Sequence, residues 1–583
     1  MIKKLLLILI SVFVISNQHI QAVPAYPGEK TIKQPDGSEL TIKLHGDEYM
    51  SYTTTGDGYS VVMDNNGYYV YATLSDKKLV PTGVKAHNPE IRSSQEINFV
   101  KGIEKGLHPE MSPDMTMQWQ AEQVRRAKTR ADSDKAYNYS KFRGLIILVE
   151  YNDRTFSRED YVEVLEDMIG KEGYEGYMSA GLSPEWIDCT GSVYDYYYDN
   201  SFGAFKSNFD IIGPVKVNRS QYFPNKAYNA ADLMKDAVTA ADPYVDFSNY
   251  DIDGDGIVDM IYFIFAGGGS HYTGNDQRLL WPHASDMSYF MSKYADRVKM
   301  GRYACSTELA QSPEEGILEG IGTICHEFSH VLGLEDLYDT DGSGSGGETE
   351  LHPELWSVMA AGCYINDSRT PAGYSLYERY AIGFAQPQLI TKEGEYTLEN
   401  LDESNQGFKL ESGQLGEFFM IENRQRIKWN EPNPGHGMVV YRVDSTNVYA
   451  WQNNLVNSNP SHNYYELLRA TGQLKDYTGT PFPGSGSKTL LGNKTRPSLR
   501  SWTGKDCPFI LTDIKESETG LIMFNVKQAE FENSAGASVS VIPNEMEDSE
   551  YFDITGVRIN GYPDRKGIFV RKKGNIFEKI FIR

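Results

Sequence analysis

Cysteine is scarce in this chain: Cys189, Cys305, Cys325, Cys363 and Cys507 are its five among 583 residues. An odd, scattered set excludes a disulfide framework and leaves one pair free to bridge. Positive charge is also short. Lys and Arg total 56 against 80 Asp and Glu, a net charge of −24. So acidic a chain repels phosphate backbones and anionic headgroups, which excludes nucleic acid and membrane surfaces as partners. Long apolar runs are missing too, with one exception at Leu5 to Ile15 in "MIKKLLLILISVFVISNQHIQA". Two lysines precede that run, and small or polar residues follow it to Ala22. It reads as a signal peptide, residues 1–22, too short to span a bilayer. The remainder is expected to be secreted, extracellular or cell-surface associated, without a transmembrane segment.

What is present is foldable. Apolar residues make up 40% and aromatics 12%, with 39 tyrosines. The length exceeds what one core can serve, so several domains are expected. Short alternating runs broken by Asp-Gly, Gly-Asp and Asn-Gly turns predict a small β unit from residue 23 to about 110. A polar linker follows, with a basic cluster at Arg125, Arg126, Lys128 and Arg130. "RGLIILVEY", from Arg143 to Tyr151, is a continuous apolar run that predicts a strand buried on both faces. Mixed helix and strand patterns continue to about residue 385. Strand patterns with Gly, Pro and Asn turns predict a β-sandwich over 391–530. A linker and a short β-rich tail make up 531–583.

The chemistry centres on "CHEFSHVLGLEDLYD", Cys325 to Asp339. A helix over Ile317 to Leu332 puts Ile317, Ile321, Ile324, Phe328 and Val331 within an arc of about 80°. His326 and His330 then project together on the opposite side. Two imidazoles at i and i+4 can hold one zinc ion, with Glu327 beside it as a general base. Gly333 can turn the chain at positive φ. Asp336, three residues on, is the expected third ligand. Its rivals are Glu350 and Glu354, at thermolysin-like spacing, and His352. Met359 in "LWSVMAAG" fits the methionine turn that lies beneath the metal in metzincins. Tyr364 and Tyr374 are open candidates for a second oxyanion donor. His283 reads as a loop histidine satisfied by hydrogen bonds.

A second motif, "DIDGDGIVD", sets Asp251, Asp253, Asp255 and Asp259 at positions 1, 3, 5 and 9 of a calcium loop. The Ile257 carbonyl falls at position 7 and Gly256 at the sharp turn. Tyr262 stands where an EF-hand has its bidentate glutamate, so the loop is expected to be structural rather than a sensor.

"GSVYDYYYDNSFGAF", "DIDGDGIVDMIYFIFAGGG", "WPHASDM", "IGTICHEFSHVLGLEDLYDTDG", "LWSVMAAG" and "FFMIENRQRIKWNEPNPGHGMVVYRVD" together resemble the immune inhibitor A family of secreted metallopeptidases. Ser329, Glu335 and Arg442 depart from its usual glycine, proline and histidine. The resemblance implies an α+β protein. A propeptide and linker would occupy 23–135, a metzincin-like catalytic domain 136–390, and the sandwich 391–530. It also implies one catalytic Zn2+ and proteins or peptides as substrates, beside the structural Ca2+ expected from the acidic loop. The expected activity is peptide hydrolysis by zinc-activated water, with Glu327 as base. The competing class is a non-catalytic adhesin or glycan-binding protein on a peptidase scaffold. The presumed propeptide holds no cysteine, so a thiolate cannot block the metal; Asp47 and Glu48 are its candidate blocking carboxylates. "YFDITGVRI" and "KGIFVRKKGNIFEKIFI" resemble the C-terminal sorting signals of type IX secretion substrates.

Overall fold

The computed structural model describes residues 23–529, apart from 48–49, 110–138, 181–182, 224–229, 273–277, 292–293, 311–316, 341–352, 460 and 474–475. It also describes four backbone strands between Glu550 and Ile582. The signal-peptide segment, the basic linker cluster, Glu48, Glu350 and His352 lie outside the described residues. The chain divides into two compact units, Met1–Ala529 and Glu530–Arg583.

Within the first unit, residues 29–85 form a six-stranded sheet in which each strand pairs with the next in sequence. Turns bearing Gly37, Gly58 and Gly67 close three of its hairpins, and Asp76-Lys77 closes another at positive φ. At one, Asp64 accepts from the Asn66 and Tyr68 amides, and Gly67 takes φ +83°. One face of this sheet packs Leu40, Ile42, Leu44, Val61 and Tyr71 against Val100 and against Trp281 from the following region.

A five-stranded sheet forms the centre of the next region. Gly144–Glu150 lies between Phe209–Lys216 and Ile261–Gly268, parallel to both. Arg302–Leu309 continues the parallel run, and His283–Asp286 closes the edge antiparallel. The period of two sorts its side chains. Ile146, Leu148, Tyr262, Ile264 and Ala304 face the core that holds Ile321, Ile324 and Phe328. Leu145, Ile147, Val149, Phe263 and Phe265 face the other core, under Leu233, Met234, Ala237 and Val238 of the helix Ala230–Ala241. The apolar run at 144–149 is thus continuous because both faces are covered.

Two further sheets follow. Gln388–Leu389, Phe408–Glu411, Glu417–Arg424, Gly437–Asp444 and Tyr465–Leu468 make five strands; Gly394–Leu398, Ile522–Gln528 and Phe509–Glu516 make three. Phe419, Ile421, Met438 and Val440 pack with Leu511, Ile522 and Phe524 between these sheets. Their neighbours Phe418, Met420, Val439 and Tyr441 join the core that holds Ile321, Ile324 and Phe328 instead. The larger sheet is therefore buried on both faces and is continuous with the region before it. No helix among the described residues is long and apolar enough to cross a membrane.

Candidate active site

The histidine-bearing helix spans Ile321–Leu332. It starts four residues later than the apolar spacing predicts. Leu318 instead pairs with Leu309 as a β-bridge, and its amide donates to the Tyr177 hydroxyl. Ile317 belongs to that extended stretch. The first turn needs glycine for packing: a Cβ on Gly322 would stand 1.8 Å from the Cys363 carbonyl oxygen. Phe328 fixes the apolar side, with ring centroids 5.2 Å from Tyr197 and 5.3 Å from both Phe142 and Phe209. Gly333 ends the helix at φ +111°, its amide donating to the Ser329 and His330 carbonyls.

That turn returns Asp336 to the histidines. His326 Nε2 and His330 Nε2 are 3.1 Å apart, and Asp336 Oδ1 lies 3.1 Å from the first and 3.2 Å from the second. His326 donates through Nδ1 to the Val358 carbonyl at 2.7 Å, and His330 through Nδ1 to the Leu334 carbonyl at 2.9 Å. Those bonds fix the tautomers and leave both Nε2 lone pairs facing inward. Three acceptors thus converge in a fully buried place, an arrangement that repels itself unless a cation joins it. Tetrahedral zinc with ligands at about 2.0–2.1 Å sets them about 3.3–3.4 Å apart, close to the edges of this triangle. The residues therefore fit zinc.

Neighbouring groups hold the triangle rigid. Asn454 clamps Asp336, accepting from its amide at 2.7 Å and donating to Oδ2 at 2.6 Å. Met359 is fully buried; its carbonyl accepts from the Leu337 amide at 2.8 Å, and its amide donates to Ser357 Oγ. The turn 357–359 thereby positions both His326 and the Asp336 loop. Glu354 is bonded to the Tyr477 hydroxyl at 3.3 Å and does not join the metal-capable cluster.

Glu327 is buried beside this cluster. Burial drives its carboxyl well above its usual range, and the Asp336 carboxylate adds to that. A divalent cation in the triangle would oppose both effects. Its Oε2 has no hydrogen-bond partner among the described residues, while Oε1 accepts from the Val23 amide at 2.9 Å. The chain's own N-terminal segment therefore lies in the cleft. The Val23 carbonyl accepts from Trp281 Nε1 at 2.9 Å, and the Pro24 carbonyl from the Tyr364 hydroxyl at 2.6 Å. Asp47 is elsewhere, accepting from the Met50 amide in a turn.

Sequence reasoning missed Trp281, Asn454 and Val23. Trp281 stands two residues before His283 in a stretch that drew attention only to the histidine, and nothing local in "NNL" or "VPAY" points to a metal. Of the two tyrosines, Tyr364 enters the cleft. Tyr374 does not: its hydroxyl meets Ser329 Oγ, and its ring packs on Tyr196 and Phe384. His283 is buried, with Nδ1 donating to the Trp281 carbonyl at 2.8 Å and Nε2 at 2.9 Å from the Tyr303 hydroxyl. Burial lowers its pKa to about 4. All five cysteines are free thiols.

At the acidic loop, Asp251, Asp253 and Asp255 bring carboxylate oxygens within 4.8 Å of one another. Gly254 and Gly256 turn at φ +77° and +85°. Asp259 does not join that convergence; its Oδ2 accepts from the Ile252 amide at 2.7 Å. Burial, together with the three nearby aspartates, pushes its pKa up to about 6. Ile257 opens a short strand paired with Val298–Met300.

Residues 140–386 match the family model described as the immune inhibitor A peptidase M6 catalytic domain. Immune inhibitor A of Bacillus thuringiensis subsp. alesti is 26% identical over 249 residues, covering 39% of this chain and 33% of that protein. The pre-pro-metalloprotease PrtV of Vibrio cholerae serotype O1 (strain M66-2) is 23% identical over 287 residues, covering 44% of this chain and 29% of that protein. The chain thus matches about a third of the length of these curated relatives. The segment 140–386, with its histidine pair, aspartate and buried glutamate, belongs to the immune inhibitor A (M6) family of metallopeptidases.

Proposed function

We propose that this chain is a secreted zinc endopeptidase of metzincin type, made in a latent form. The observation that carries the reading is the convergence of His326 Nε2, His330 Nε2 and Asp336 Oδ1 beside a buried carboxylate with one unpartnered oxygen. Those three residues would hold the zinc. When bound, zinc supplies a Lewis acid that polarises the scissile carbonyl and acidifies water. Glu327 takes the proton from the attacking water through its free oxygen and later delivers it to the leaving amine. Asn454 and the 357–359 turn hold the ligands, so no reorganisation is needed during the reaction.

Residues 23–135 act as the propeptide. Val23 and Pro24 fill the cleft on the Glu327 side, so no substrate enters until the segment leaves. Cleavage in the basic linker would release it. A calcium ion among Asp251, Asp253, Asp255, the Ile257 carbonyl and Asp259 would support the fold and take no part in the reaction.

The test is digestion of casein by the processed protein. Activity should disappear with a chelator and return with zinc. Glu327→Gln should retain zinc by metal analysis yet lose on the order of 10²–10⁴-fold in rate. Near-normal digestion by that variant would remove the mechanism.

A further inference from the structure

The segment in the cleft has a direction. Its amide nitrogen at Val23 points to Glu327 Oε1, 2.9 Å away, and the residues after it meet Tyr364 and His271 in turn. A peptide undergoing hydrolysis has one nitrogen that must meet the general base, that of the residue just after the scissile bond. Val23 therefore occupies the place of that residue, and Pro24, Ala25 and Tyr26 those that follow it. The cleft treats them accordingly. Val23 is completely buried in the principal core. Its carbonyl accepts from Trp281 Nε1 at 2.9 Å, and the Pro24 carbonyl accepts from the Tyr364 hydroxyl at 2.6 Å. Further on, the Tyr26 amide donates to the His271 carbonyl at 3.2 Å, and its ring packs on Tyr272 at 5.2 Å and Tyr364 at 5.6 Å. The bonds from Trp281 and Tyr364 go to the occupant's main chain, so they ask nothing of its sequence except the small aliphatic fit at Val23.

We propose, building on the peptidase reading, that Trp281 and Tyr364 bind the leaving half of the substrate: Trp281 Nε1 takes the carbonyl of the first residue after the scissile bond, and the Tyr364 hydroxyl takes that of the second. This assigns Tyr364 to the leaving half rather than to the oxyanion. It also makes a small aliphatic residue the preferred first residue after the cut.

Three substrates with one acyl half and different leaving groups test it: valyl-alaninamide, valine ethylamide and isobutylamine. The second lacks the second-residue carbonyl, and the third lacks both. In the processed wild-type enzyme each deletion should lower kcat/KM about threefold to tenfold, the effect of one neutral hydrogen bond. Tyr364→Phe should erase the step between the first two substrates, and Trp281→Phe the step between the last two. A variant that slows all three equally, or keeps both steps, overturns its assignment. Tyr364→Phe decides by itself if Trp281→Phe does not fold. Should the processed wild type cleave no peptide, the peptidase reading falls, and the donors are read without catalysis. In the chain lacking residues 1–22, acylation of the Val23 α-amine by a succinimidyl ester, followed by mass spectrometry, should run about tenfold faster in Tyr364→Phe than in wild type. Equal rates would overturn the assignment.

Discussion

At the scale of single residues, the third metal ligand is the sharpest question. Asp336 offers a buried oxygen to both imidazoles, whereas Glu354 bonds to Tyr477. Asp336→Ala should therefore lose both zinc and activity, and Glu354→Ala should keep both. Metal analysis of the two proteins checks this, and the reverse pattern would transfer the ligand role. Arg442 is the second case. It lies 3.1 Å from Glu466 and 3.9 Å from Glu417 and stacks over Trp502. Burial raises the Glu417 pKa to about 7, against the pull of Arg442. A carboxyl whose folded pKa is raised holds its proton more tightly when folded, so its contribution to stability falls as pH rises from about 4.5 to about 7. Arg442→Gln removes the charge that limits this loss. The variant's deficit should be small at pH 4.5 and grow to about 3–5 kcal/mol above pH 7. Urea unfolding at both pH values measures it, and a deficit independent of pH would rule out the electrostatic account.

At the scale of elements, the histidine-bearing helix was readable because its period leaves no other arrangement. Residues four apart must share a side, and Gly333 must stop the helix and turn the chain back. The start at Ile321 was not readable. It depends on Gly322 meeting the Cys363 carbonyl and on Leu318 pairing with Leu309, contacts from distant parts of the chain. The same limit hid Asn454, 118 residues from the aspartate it clamps. The acidic loop gives a prediction of its own. Its three carboxylates converge, Asp251 Oδ1 is buried without a partner among the described residues, and Asp259 is pushed up to about 6. A calcium ion would relieve all three. Calcium should raise the melting temperature at fixed zinc, and the rise should vanish in Asp253→Ala. A midpoint that calcium leaves unchanged would make the loop only a turn.

At the scale of the whole molecule, the chain divides into two units, and the C-terminal one has a sheet of its own. Four strands, in the order Arg558–Ile559, Glu550–Asp553, Gly567–Lys573 and Ile576–Ile582, pair antiparallel among themselves. Their ladder partners all come from within Glu530–Arg583, which forms its own compact unit. The core around the active-site helix, by contrast, draws its side chains from Val23 to Leu467. A unit whose described strands pair among themselves is expected to be removable as a piece. The tail is also where the sequence resembles type IX sorting signals, so we assign it to export rather than to catalysis. Deleting residues from 545 onward should leave the cell-associated peptidase activity and its zinc content intact while lowering the amount of protein outside the cell. Immunoblotting of culture medium and lysate, with casein digestion on each, reads both quantities. Normal export of the truncated chain, or loss of activity inside the cell, would make the tail a structural part of the enzyme instead.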